Sequence, residues 1–94
     1  MTIPRVTEHE IKIMKLLATR KTGFYGLELV RHRVATKGGI YVQMQRLEDK
    51  GLVMSTKHEQ GNYGIRMYEL TDAGRGWLKA RAILERYFED RGIR

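Results

Sequence analysis

Gln45 and Arg46 are the residues of this chain whose types best suit recognition chemistry. An amide offers a donor and an acceptor side by side, matching the major-groove edge of adenine, and a guanidinium matches a guanine edge or a phosphate. Both stand in the stretch Thr36 to Leu52, TKGGIYVQMQRLEDKGL, where Ile40, Met44 and Leu47 recur at helical spacing and share one apolar face. At about 100° per residue Val42, Gln45 and Asp49 lie roughly opposite that row, with Tyr41 and Arg46 on the flanks. Lys37, Gly38 and Gly39 occupy the expected first turn, where missing side chains would let another backbone come close. Thr36 supplies an N-cap oxygen and Gly51 the C-terminal left-handed residue. No Asp or Glu falls between Leu29 and Leu47, whereas Arg31, Arg33, Lys37 and Arg46 all do. A basic stretch leading into a helix with a polar outer face suits the major groove of double-stranded DNA.

Each of these residues also has a plainer reading. Gln45 contacts a base or lies on a solvated helix face; Arg46 reaches a guanine edge or a phosphate, or pairs with Glu28 or Asp49. The Tyr41 ring covers the core while its hydroxyl reaches a phosphate. Lys57, His58 and Arg66 sit on or beside a hairpin that lies along the DNA backbone, dips into the minor groove, or is simply exposed.

Other chemistries find little support. There is no cysteine, hence no disulfide framework, Cys-type zinc site or thiol nucleophile, and a reducing compartment is expected. His9, His32 and His58 have no partner at metal-ligand spacing, so no metal and no cofactor is expected. No glycine-rich phosphate loop follows a strand, no Ser or Thr stands in an elbow-like turn, and the acidic residues are assigned mainly to exposed helix faces. Enzyme activity is therefore not expected. Lys and Arg number 18 against 11 acidic residues, and the resulting charge of +7 favours a polyanionic partner. No apolar run is long enough for a membrane span and no signal peptide is evident, so a cytoplasmic, nucleoid-associated protein is expected.

The elements that position these residues read as follows. Thr7 with Glu10 forms a capping box, and Ile11, Met14 and Ala18 with Ile13, Leu16 and Leu17 predict a first helix to about Arg20. Pro4 lies in a short N-terminal arm before it. A second helix runs from Tyr25 to Val34 with Leu27, Val30 and Val34 at helical spacing and Leu29 beside them; the turn Val34-Ala35-Thr36 sets helices two and three at a steep angle. Leu52 to Lys57 and Ile65 to Leu70 are extended in character around a turn region at His58 to Gly64, which makes a β-hairpin. Thr71-Asp72 opens a last helix ending by Gly92, in which Trp77, Ala80, Leu84 and Tyr87 form a stripe widened by Leu78, Ile83 and Phe88. Three helices, a β-hairpin wing and a C-terminal helix describe an α+β, mainly α, winged helix-turn-helix in one domain over residues 1–94.

Three pieces of this sequence resemble the PadR-like winged-helix transcription regulators. Tyr25-Gly26-Leu27-Glu28-Leu29 resembles the family's aromatic-Gly opening of helix two. Gly38-Gly39-Ile40-Tyr41 with Met44, Arg46-Leu47-Glu48 and Gly51-Leu52-Val53 resembles its recognition-helix signature. Arg66, Tyr68, Leu70-Thr71 and Gly74 resemble the end of its wing. The departures are Val42 where the family usually has Pro, Gln43 where it often has an apolar residue, and a short segment after the wing, which implies no separate C-terminal effector domain. The resemblance implies a dimeric repressor, in some relatives responsive to a small hydrophobic ligand.

The leading expectation is a sequence-specific DNA-binding repressor, a homodimer on a pseudo-palindromic operator. Its DNA contacts are assigned to Thr36, Lys37, Gly38, Gly39, Tyr41, Val42, Gln45, Arg46, Lys57, His58 and Arg66. Residues 72–91 are the expected dimerisation helix, with Trp77, Ala80, Leu84, Tyr87 and Phe88 at the interface, because their stripe spans more than one helix face. Trp77 either lines a small-ligand pocket there or is ordinary core or interface. The alternative is a winged-helix protein-interaction module or small regulatory subunit that reads no DNA sequence.

Overall fold

The computed structural model describes residues 2–60 and 63–90, with the side chains of 58–60, 63–65 and 90 left out. In chain order the elements are α1 (Glu8–Leu17), β1 (Phe24–Tyr25), α2 (Gly26–Arg31), α3 (Ile40–Asp49), β2 (Val53–Gln60), β3 (Tyr63–Leu70) and α4 (Asp72–Asp90). The three strands form an antiparallel sheet in the order β1-β3-β2. The winged helix-turn-helix arrangement read from the sequence is the one observed, with the short strand β1 added.

Local chemistry sets the helix ends. The Thr7 Oγ1 accepts from the Glu10 N–H at 3.1 Å while Glu10 Oε1 accepts from the Thr7 N–H at 2.8 Å, the reciprocal capping box that starts α1. Ala18 is the exposed C-cap of that helix rather than part of its buried face. The second helix is shorter than its periodicity suggests. Arg33 takes a left-handed backbone, φ 61°, and the Arg33 and Val34 N–H groups donate to the Val30 and Leu29 carbonyls. That pair of bonds is a Schellman stop, so α2 ends at Arg31 and Val34 belongs to the turn. Within α2 the buried residue is Leu29, and Leu27 is 58% exposed, because six residues turned by β1 can present only a narrow face to the core.

The third helix also begins later than Thr36. Thr36 caps a preceding turn, accepting from the Gly39 N–H at 3.0 Å, and the regular helix starts at Ile40. Its other end follows expectation: Gly51 has φ 75°, and the Gly51 and Leu52 N–H groups donate to the Glu48 and Leu47 carbonyls. Ten residues is too short for a stable isolated helix. Complete burial of Ile40, Met44 and Leu47 contributes about 1.5–3 kcal/mol each and so outweighs propensity here.

The core gathers Ile13, Met14 and Leu17 of α1, Phe24, Leu29, the α3 row, Leu52, Val53, Tyr68 and Leu70, with Val6, Trp77 and Leu78 packed on its edge. Phe24 pairs with Tyr68, and Tyr25 with Met67. Two residues carry no periodicity, which is why β1 was not legible. The hairpin strands are longer than predicted, reaching a Gln60–Tyr63 pair, so most of the expected turn region is strand; Gly61 and Asn62 lie outside the described residues. So do Arg91 and Gly92, where the last helix was expected to end.

Candidate nucleic-acid interface

On α3 the two faces divide as the sequence suggests. Opposite the buried row Val42 is 55% exposed, with Gln45 and Asp49 also at the surface; on the flanks Arg46 is exposed and Tyr41 is 63% exposed, so the Tyr41 ring does not cover the core as expected. The Gln45 Nε2 donates to Asp49 Oδ1 at 2.9 Å, a contact between residues one turn apart that spacing alone makes available. Arg46 pairs with neither of its expected acids. Glu28 is held instead by the Arg20 guanidinium at 2.8 Å and by the Tyr25 N–H at 3.0 Å, and the Arg20 bond first among these keeps its carboxyl below the ordinary range. Arg46 borders a cleft of about 270 Å³ with Thr7, His9, Gln43 and Lys50, on the flank of α3 that faces α1.

At the amino end of α3, Lys37 and Gly38 are exposed, and nothing lies within 4 Å of where a Gly38 side chain would begin. Gly39 is only half exposed, its missing side chain making room for the Thr36 hydroxyl. Thus Gly38 leaves an open approach, whereas Gly39 serves the cap.

The wing carries its charge on a defined face. Val53 and Ser55 of β2 stand opposite Leu70 and Tyr68 of β3, so the core-facing side of the hairpin continues outward to the Lys57–Arg66 pair. Both are exposed, and Arg66 Nη1 donates to Ser55 Oγ at 3.1 Å. Burial pushes the Tyr68 phenol up, against the opposing charge of Arg66. His58 is strand backbone opposite Ile65, and its side chain lies outside the described residues.

One acid contradicts its assignment to an exposed face. Glu10 is 5% exposed and receives the Lys50 ammonium on both oxygens, at 2.7 and 2.9 Å. Burial alone would raise this carboxyl, but the bonds from Lys50 and Thr7 outweigh it and hold the group below its ordinary 4.5. Forty residues separate the partners, so no sequence pattern could pair them.

On α4, Trp77 and Leu78 pack against the core edge, while Ala80 is exposed and Ile83, Leu84, Tyr87 and Phe88 are 67, 56, 48 and 43% exposed. Tyr87 and Phe88 stack edge to face at 5.5 Å. The arm at Ile3, Pro4 and Val6 runs beside Trp77, Ala80 and Leu84, enclosing an apolar groove of about 420 Å³.

A sheet-flanked helix pair that buries one face of α3 and presents the other beside a basic hairpin defines a winged helix-turn-helix protein. The model of the transcriptional regulator PadR-like family matches residues 3–80, and the chain belongs to that family. It is accordingly a transcription regulator and not an enzyme. Similar solved structures include a PadR family transcription regulator from Clostridium difficile, 24% identical with a TM-score of 0.69 over 89% of this chain and 93% of that one. Another is a PadR family transcriptional regulator from Eggerthella lenta, 25% identical with a TM-score of 0.61 over 86% of this chain and 78% of that one. A comparison with curated proteins finds no match. Among the described residues no helix is long and apolar enough to cross a membrane.

Proposed function

We propose that the protein represses transcription as a homodimer that reads a pseudo-palindromic duplex through α3. The observation that carries this is the exposed outer face of α3, where Tyr41, Val42, Gln45 and Arg46 are open to solvent while the inner face is completely buried. In this reading Gln45 and Val42 meet base edges, and Arg46, Tyr41 and the turn of Thr36, Lys37, Gly38 and Gly39 meet the phosphates beside them. Lys57 and Arg66 follow the flanking backbone, with His58 further along the same strand.

Dimerisation is assigned to α4. The exposed Ile83, Leu84, Tyr87 and Phe88 make an apolar surface of the kind that usually marks association, and a two-fold axis would bury it on both copies. The same axis would set the recognition helices about 34 Å apart, one turn of duplex.

Selection of bound duplexes from a random pool tests the function. Enrichment of an inverted repeat with half-sites one turn apart is the expected result. Failure to enrich any sequence would refute the reading and leave a protein-docking module in its place.

A further inference from the structure

The bond between Gln45 and Asp49 has a direction. A carboxylate offers only acceptors, so the amide must turn its nitrogen toward Asp49, as it does at 2.9 Å, and its carbonyl elsewhere. Both side chains are exposed, so burial does not force the contact. Nor does electrostatics favour the acid. Asp49 stands in the last turn of α3, where the helix end carries partial negative charge, and it is the one carboxylate among the exposed residues of that helix. On a face turned toward phosphates it is disfavoured a second time.

We propose that Asp49 is a positioning residue for base recognition: it fixes the polarity of the Gln45 amide so that Gln45 accepts adenine and rejects guanine. This rests on the DNA-reading function proposed above and names the sequence chemistry of that site. The major-groove edge of adenine carries the N6 donor beside the N7 acceptor. Gln45 Oε1 accepts from N6, and the second Nε2 hydrogen, not used by Asp49, goes to N7. Guanine presents O6 and N7, both acceptors. With one Nε2 hydrogen held by Asp49, a single donor remains for these two acceptors, and Oε1 would meet the other without a proton between them. Val42 lies one turn earlier on the same face and is 55% exposed. An apolar branched side chain has nothing to offer a phosphate, and its fitting partner in the groove is the methyl group of thymine.

The experiment takes the half-site selected by the wild-type protein, locates the base pair whose identity ceases to matter in Gln45→Ala, and compares adenine with guanine there. Wild type should prefer adenine by about tenfold or more, the discrimination of one bidentate pair. Asp49→Asn, whose Nδ2 can donate to Gln45 Oε1 instead, should free both Nε2 hydrogens for O6 and N7 and bring that ratio down toward one. Removing the charge raises affinity for every duplex alike, which leaves the ratio untouched, so the ratio isolates the positioning role. Adding Asp49→Asn to Gln45→Ala should change the ratio no further. Replacing thymine by deoxyuridine at neighbouring pairs should cost wild type about fourfold at one position, the value of one buried methyl-sized group, and cost Val42→Ala nothing. An Asp49→Asn protein that keeps the full preference, or a wild type that prefers guanine, overturns the proposal. A wild type that enriches no sequence overturns the DNA-reading function itself, a distinct result.

Discussion

The Lys50 ammonium lies 2.7 Å from Oε1 and 2.9 Å from Oε2 of Glu10, tying the C-terminal end of α3 to the first turn of α1. Glu10 is nearly inaccessible and also closes the α1 capping box, so its carboxylate satisfies a backbone donor and a charge together. Glu10→Gln should cost about 1–3 kcal/mol, the range for unpairing a buried hydrogen-bonded group. Its pH dependence has a defined sign. Because the folded-state carboxyl is held below its ordinary 4.5, the stabilisation is fully present above that value and is lost as pH falls through the depressed one. Urea titrations should therefore show wild type and Glu10→Gln converging in acid and separating above about pH 5. Parallel curves over that window would mean the bridge contributes no pH-linked stability.

Two glycines of α4 should respond oppositely to alanine. A side-chain carbon at Gly74 would overlap the Leu52 carbonyl oxygen, at the junction where Thr71 Oγ1 donates to the Gly51 carbonyl and accepts from the Gly74 N–H. Gly74→Ala should cost about 1–3 kcal/mol as the helix start is forced off the strand. Nothing lies within 4 Å of the same point at Gly76, so Gly76→Ala should stabilise the protein by about 0.5–1 kcal/mol through helix propensity. Chemical denaturation of both variants decides it; equal signs would contradict the packing described.

Lys57 and Arg66 face each other across the wing. If both meet phosphates, Lys57→Ala and Arg66→Ala should each weaken specific and random duplexes alike and flatten the salt dependence by about 0.9 in the logarithmic slope. Lys37→Ala should behave in the same way. An unchanged slope for any of the three removes that residue from the interface.

Leu84 is 56% exposed beside the groove formed by the arm and α4. Leu84→Glu should yield monomers whose affinity for the selected site falls far more than their affinity for random duplex, since only the former needs two half-sites engaged together. Sedimentation equilibrium at tens of micromolar checks the first statement. A monomeric wild type or a dimeric variant would refute it.

Much of the architecture follows from local order in the chain. The Thr7–Glu10 box, the Ile40, Met44 and Leu47 row, the left-handed Gly51 and the alternation of β3 act over a few residues, so their pattern alone specified helices, hairpin and the outward face of α3. What the pattern misjudged depends on contacts made elsewhere. The second helix stops at Arg31 because Arg33 accepts a left-handed backbone, a conformation that residue type does not announce. Phe24 and Tyr25 become a strand only because β3 lies beside them. Glu10 is buried because Lys50 arrives from 40 residues away to neutralise it. Arg46 stays at the surface, while Glu28 meets Arg20 and Asp49 meets Gln45. Spacing specifies which residues share a face, since the helix repeat is a property of the backbone. Which partner satisfies a charge is decided only when segments distant in sequence are brought together, because that choice depends on distance and burial.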